Sequence, residues 1–167
     1  GKFFAYQYAD IKPDIVLFAK AVAGGYPSGG CLFTSKVANC MKVGTHGSTF
    51  AGSPMAMGLA NAVLDLLLKP EFEENILNVS KYFFDQLKNI QNKFPKIIKE
   101  VRGKGLMVGV QFFEEPSKFL KEFYKNKLIT VKASDNVIRI LPPLNVQKKE
   151  IDEGINIINK TLKEYKA

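Results

Sequence analysis

The stretch Pro13-Asp14-Ile15-Val16-Leu17-Phe18-Ala19-Lys20-Ala21-Val22-Ala23-Gly24-Gly25-Tyr26-Pro27 decides how the chain is read. An apolar run from Ile15 to Ala19, opened by a proline and closed by a Gly-Gly turn, predicts a buried strand with Lys20 where the strand runs out. Burial disfavours the ammonium form, so an amine held at a core edge can become a neutral nucleophile that condenses with a carbonyl, as Schiff-base lysines do. The plainer reading is a lysine that reaches from the end of an apolar strand to water. Just downstream, Gly24, Gly25, Pro27, Gly29 and Gly30 predict a tight connection into a second strand over 31–34. Two strands then meet beside one lysine.

Working outward, the lead-in over 1–11 mixes aromatic and polar residues, and a short helix is expected over 37–41. The segment Gly44-Thr45-His46-Gly47-Ser48-Thr49-Phe50-Ala51-Gly52-Ser53-Pro54 is rich in small and hydroxylated residues. Such a loop offers an anion hydroxyls and free backbone N–H groups, and it ends with Ser53 as a candidate N-cap and Pro54 at the first helical position. The helix expected over 54–68 is apolar nearly all round, which predicts burial in a core or an interface. Lys69-Pro70 breaks the pattern, and a domain change is expected there. Beyond it, a long amphipathic helix is read over 71–94, with Phe72, Ile76, Val79, Phe83, Leu87 and Ile90 on one face and acidic residues in its first turn. Strands over 97–101 and 106–113, a helix over 117–125, strands over 128–131 and 137–141, and a helix over 147–164 complete an α+β order. The expected domains are therefore 1–69 and 70–167.

Composition narrows the function. The 167 residues are 46% hydrophobic and carry a formal charge of +8, enough apolar content for a core of one domain or one and a part. The lysines are scattered along helices without a basic run or interleaved aromatics, which argues against nucleic acid and anionic membranes as partners. Arg102 and Arg139 are the only arginines, so a planar two-pronged contact to a carboxylate or phosphate must come from one of them. Cys31 and Cys40 have no histidine at metal-ligand spacing and read as inert, reduced thiols of a cytoplasmic protein, with neither a disulfide nor a metal expected. No apolar run approaches the ~20 residues of a membrane span. His46 reads as a structural hydrogen-bonding residue, Arg102 as an anchor between strands, and Met55 and Met57 as core packing.

Together, Lys2-Phe3-Phe4-Ala5, Pro13-Asp14-Ile15, Ala19-Lys20 with Gly24-Gly25-Tyr26-Pro27, the loop Gly44 to Phe50 with Ser53-Pro54, and Ile138-Arg139-Ile140-Leu141-Pro142-Pro143-Leu144 resemble the class III pyridoxal-phosphate aminotransferases. Each motif is common; their order, with Thr49 falling 29 residues after Lys20, carries the resemblance over the whole chain. Two departures stand out: Ser53 where the family more often has asparagine, and Gly29-Gly30 in place of the usual Ile-Gly-Ala. The resemblance implies an α/β fold: the C-terminal portion of a fold type I enzyme, with the end of a large three-layer α/β/α domain and a small α+β domain. It implies pyridoxal 5'-phosphate as cofactor and Lys20 as the residue that bonds it and shuttles the substrate proton. Ser48 and Thr49 match the residues that reach the cofactor phosphate of the neighbouring subunit in a homodimer, and Arg139 the arginine that pairs with a substrate carboxylate. The implied reaction moves an ω-amino group from an N-acetylornithine or ornithine type donor to 2-oxoglutarate; ornithine, 4-aminobutyrate and succinyldiaminopimelate stay open as donors. Family members run to twice this length or more, and the residues that would hold the cofactor's ring nitrogen are not found here. The expectation is a fragment, inactive by itself, with a non-catalytic remnant as the alternative.

Overall fold

The computed structural model describes residues 2–165, which divide into two compact units, Lys2–Phe72 and a second from Glu73 onward. The division falls inside the first turn of a helix rather than at Lys69.

In the first unit, a 3-10 helix (Ala5–Tyr8) precedes β1 (Ile15–Ala19), which pairs antiparallel with β2 (Gly29–Phe33) in a register running from Ile15↔Phe33 to Ala19↔Gly29. At Gly30 the ring of Phe18, its cross-strand partner, lies over the backbone, and a Cβ there, 2.3 Å from Cζ, would have to displace that ring. The far end of the pair is tied by the Thr34 N–H donating to the Asp14 carbonyl at 3.0 Å and the Thr34 hydroxyl to the Asp14 carboxylate at 3.2 Å. A second 3-10 helix (Lys20–Ala23) closes on Gly24, whose φ of 63° is the left-handed conformation glycine adopts without penalty. Two helices follow, α1 (Ser35–Ala38), earlier and shorter than the expected 37–41, and α2 (Pro54–Leu67). Pro54 opens α2 as expected, but the Ser53 hydroxyl makes no capping bond.

Burial in this unit departs from expectation. A two-stranded sheet cannot cover both its faces, so β1 is only half-buried on alternate residues and Leu17 is 78% exposed. Only Ala56 of α2 is buried, while Met55, Met57, Leu59 and Leu66 face outward, so the two methionines are not core. What α2 does cover is the Lys20–Ala23 turn, with Val63 in contact range of Gly24.

The second unit is built on α3 (Pro70–Lys93), β3 (Ile98–Lys104), β4 (Met107–Phe112), α4 (Ser117–Lys125), β5 (Val131–Ala133), β6 (Val137–Ile140) and α5 (Lys148–Glu164). Its strands form an antiparallel sheet in the order β3-β4-β6-β5. Alternation sends Val101, Val108, Val110, Ile138 and Ile140 to one face, where they pack with Phe83, Leu87 and Ile90 of α3, Phe119 and Phe123 of α4, and Ile158 and Leu162 of α5. The opposite face carries the row Arg102–Gly109–Arg139–Val131, one residue from each strand in direct register. Asp135 and Asn136, both with φ of 57°, supply the two left-handed positions of a type I′ turn between β5 and β6, closed by the Val137 N–H on the Ser134 carbonyl at 3.3 Å. That turn fixes β5 at Val131–Ala133, later than the 128–131 expected from apolarity alone.

Candidate functional site

Lys20 stands where β1 ends, one residue past the Ala19↔Gly29 pair, and it opens the 3-10 turn that α2 packs against. Its φ is 65°. For a residue with a Cβ this left-handed conformation costs on the order of 1–2 kcal/mol, and such costs collect at functional sites. The side chain is exposed, so the desolvation expected from a buried strand end is not supplied within this unit, and its amine makes no hydrogen bond or ion pair among the described residues.

The hydroxylated loop is exposed along 41–52. Thr45 anchors its start, donating its hydroxyl to the Lys42 carbonyl at 2.7 Å and accepting the Lys42 N–H at 3.1 Å. The Ser48 carbonyl accepts the Ala51 N–H at 3.1 Å, while the hydroxyls of Ser48 and Thr49 are unengaged among the described residues. His46 is exposed and makes no hydrogen bond there either, contrary to the structural role expected of it. Val43 and Phe50 present apolar side chains outward from the same loop.

The two arginines behave differently. Arg102 on β3 donates to Glu100 at 2.7 Å and across to Gln111 on β4 at 3.2 Å, the strand-to-strand anchor expected. Arg139 on β6 is exposed and without a partner among the described residues, between Gly109 and Val131. Lys20, Ser48 and Thr49 thus belong to the first unit and Arg139 to the second. Cys31 and Cys40 are free and exposed, and no group of side chains among the described residues could hold a metal ion. No helix is long and apolar enough to cross a membrane.

Residues 1–162 match the family described as aminotransferase class-III. The chain is 41% identical over 155 residues to acetylornithine aminotransferase of Agrobacterium fabrum, covering 93% of this chain and 39% of that protein. To the acetylornithine aminotransferase of Clostridium acetobutylicum it is 42% identical over 164 residues, covering 98% and 42%. The crystal structure of acetylornithine aminotransferase from Elizabethkingia anophelis superposes with a TM-score of 0.89 at 29% identity, over 98% of this chain and 42% of that one. The fold over this stretch is therefore that of a fold type I pyridoxal-phosphate aminotransferase. The chain belongs to the class III aminotransferases, and it spans about two fifths of the length of the relatives it matches.

Class III aminotransferases depend on pyridoxal phosphate. The donor set here fits that group: an aldehyde calls for an unengaged amine, which Lys20 supplies, and a phosphate for free hydroxyls and N–H groups, which Ser48 and Thr49 supply. The strain at Lys20 left no mark in the sequence, since nothing in Ala19-Lys20-Ala21 differs from an ordinary strand end. The Glu100 and Gln111 partners of Arg102 follow from cross-strand register, which becomes readable only once β3 and β4 are aligned.

Proposed function

We propose that this chain contributes to pyridoxal-phosphate-dependent transamination of an ω-amino group, with an N-acetylornithine or ornithine type donor and 2-oxoglutarate as acceptor, giving a semialdehyde and glutamate. The observation that carries this reading is Lys20: an unengaged amine, in a strained backbone conformation, at the end of the strand the family pattern centres on. The names of the acetylornithine aminotransferases it resembles support the donor class. This chemistry belongs to arginine biosynthesis, and the free thiols of Cys31 and Cys40 suit the cytoplasm.

Bound pyridoxal phosphate supplies an electron sink for the carbon from which the proton leaves. Lys20 would hold the group through its Nζ and, once a substrate amine has displaced it and freed that nitrogen, would carry the proton to and from the substrate carbon. Ser48 and Thr49 bind phosphate, in a homodimer that of the second copy's cofactor; outward-facing Val43 and Phe50 support a loop that is covered by another chain. Arg139 orients the substrate by a two-pronged contact with its carboxylate. In a complete enzyme that contains this chain, borohydride reduction after exposure to pyridoxal phosphate should place the covalent label at Lys20, and Lys20→Ala should remove it. A label that maps mainly to another lysine would overturn the assignment.

A further inference from the structure

A strained residue keeps its conformation only where its surroundings leave it no other. For Lys20 those surroundings lie on both sides along the chain. Before it, Ala19 is extended and fixed by its pairing with Gly29. After it, the 3-10 turn is wound by two N–H groups, Gly24 donating to the Ala21 carbonyl at 3.0 Å and Tyr26 to the Ala23 carbonyl at 3.1 Å. These bonds are local and open to water, since Gly24, Gly25, Tyr26 and Pro27 are all exposed. What bears on the turn from outside is α2, which packs on it, and Ala23 is only 1% exposed. The inner face of α2 carries Ala56, 5% exposed, and, two turns on, half-buried Val63. Apart from the chain neighbours of Gly24, only Cγ2 of Val63 comes within 4 Å of the point where a Cβ on Gly24 would lie, at 3.4 Å. Valine is branched at Cβ and has one strongly preferred rotamer in a helix, so that methyl does not swing away. The turn is thus left-handed at both ends, with φ of 65° at Lys20 and 63° at Gly24, and Val63 stands over the second.

We propose that Val63 is a positioning residue for Lys20: standing over Gly24, it keeps the Lys20–Ala23 turn wound and so holds Lys20 in the left-handed conformation from which its amine meets the cofactor. Without that support the turn loosens, Lys20 relaxes towards an ordinary negative φ, and its Cα–Cβ bond and amine move with it. The amine then reaches the cofactor's aldehyde carbon in bonding geometry less often, although the condensation itself, one C=N bond formed with loss of one water, is unchanged. The inference rests on the reading of Lys20 as the residue that bonds the cofactor, and its test separates the two.

The test is made in a complete enzyme that contains this chain, by borohydride reduction across a series of pyridoxal phosphate concentrations and by steady-state kinetics at saturating cofactor. Val63→Ala removes two methyl groups from the support. The cofactor concentration for half-maximal label at Lys20 should rise about tenfold, and kcat should fall by a similar factor with the KM for the amino donor unchanged, since Arg139 lies in the other unit. Val63→Ile keeps the branch and should match the unmodified enzyme in both. Leu66→Ala, on the outward side of the same helix, should change neither, even where it lowers the urea midpoint as far. Should Val63→Ala not fold, Gly24→Ala loosens the same contact from its other side, by straining the 63° conformation, and should act in the same direction. Half-labelling unchanged in the variant measured, or raised as far in Leu66→Ala, would overturn the role of Val63 and leave Lys20 in place. A label on another lysine of the unmodified enzyme, or one that survives Lys20→Ala, would instead overturn the reading of Lys20.

Discussion

Lys20, like Lys127 (φ 64°) but unlike the other described lysines, adopts a left-handed backbone, and it does so at the end of a strand. With φ at 65° it occupies a region that glycine enters freely and lysine does not. Lys20→Gly should therefore be more stable than Lys20→Ala by about 1 kcal/mol in denaturant midpoints, although both lose the borohydride-trapped label. Equal stabilities would mean that the conformation carries no strain. Arg139 offers a complementary test. Arg139→Lys keeps the charge but cannot form the two-pronged contact, so carboxylate affinity should fall by about 1.5–3 kcal/mol while labelling at Lys20 stays intact. Parallel loss of both would mark Arg139 as a structural residue.

At the scale of elements, α4 is joined to β5 through Glu115. Its carboxylate accepts from Lys132 of β5 and, at 2.6 and 3.0 Å, from the hydroxyl and N–H of Ser117 in the first turn of α4. The bond from Lys132, with those from Ser117, holds the Glu115 carboxyl down at about 2, against 4.5 for the free group. A depressed folded value means that the contribution to stability is fully present above pH 4.5 and fades as the pH falls towards 2. Glu115→Gln should flatten that part of the stability profile, as read by thermal melts between those limits, and an unchanged acid limb would show that the junction contributes nothing. The helix itself spans Ser117–Lys125, the bounds expected from the sequence. β3 was less legible: its end was expected at 101, yet the strand runs on through Gly103, where the Met107 carbonyl oxygen stands 2.2 Å from any Cβ it might carry. For β5, apolarity pointed to 128–131, and the left-handed pair Asp135-Asn136, which fixes the register, carries no apolar signal at all.

At the scale of the molecule, the lengths of β1 and α2 were readable from their own residues, but their burial was not, because burial depends on what lies against them. In the first unit the buried apolar residues are Ala23 and Ala56, whereas the second holds Leu87, Val108, Phe123, Ile138 and Leu162 at 1% exposure or less. Ile138→Ala should accordingly cost about 2–5 kcal/mol, and Leu17→Ala in the first unit less than about 0.5 kcal/mol. The same contrast bears on activity. Lys20 is exposed, the loop over 41–52 is exposed throughout, and α2 turns Met55, Leu59 and Leu66 outward, so the residues proposed to hold the cofactor lack the water-excluding surroundings that proton transfer from carbon requires. The 167-residue chain, supplied with excess pyridoxal phosphate, N-acetylornithine and 2-oxoglutarate, should therefore form glutamate no faster than the cofactor does free in solution. Limited proteolysis of the same sample should cut first within 41–52 and leave the segment from Glu73 onward protected by its core. Turnover comparable to that of the relatives it matches would show that exposed Lys20 is sufficient for catalysis. Equal protection of both units would show that the first is held by more than the contacts among its buried residues.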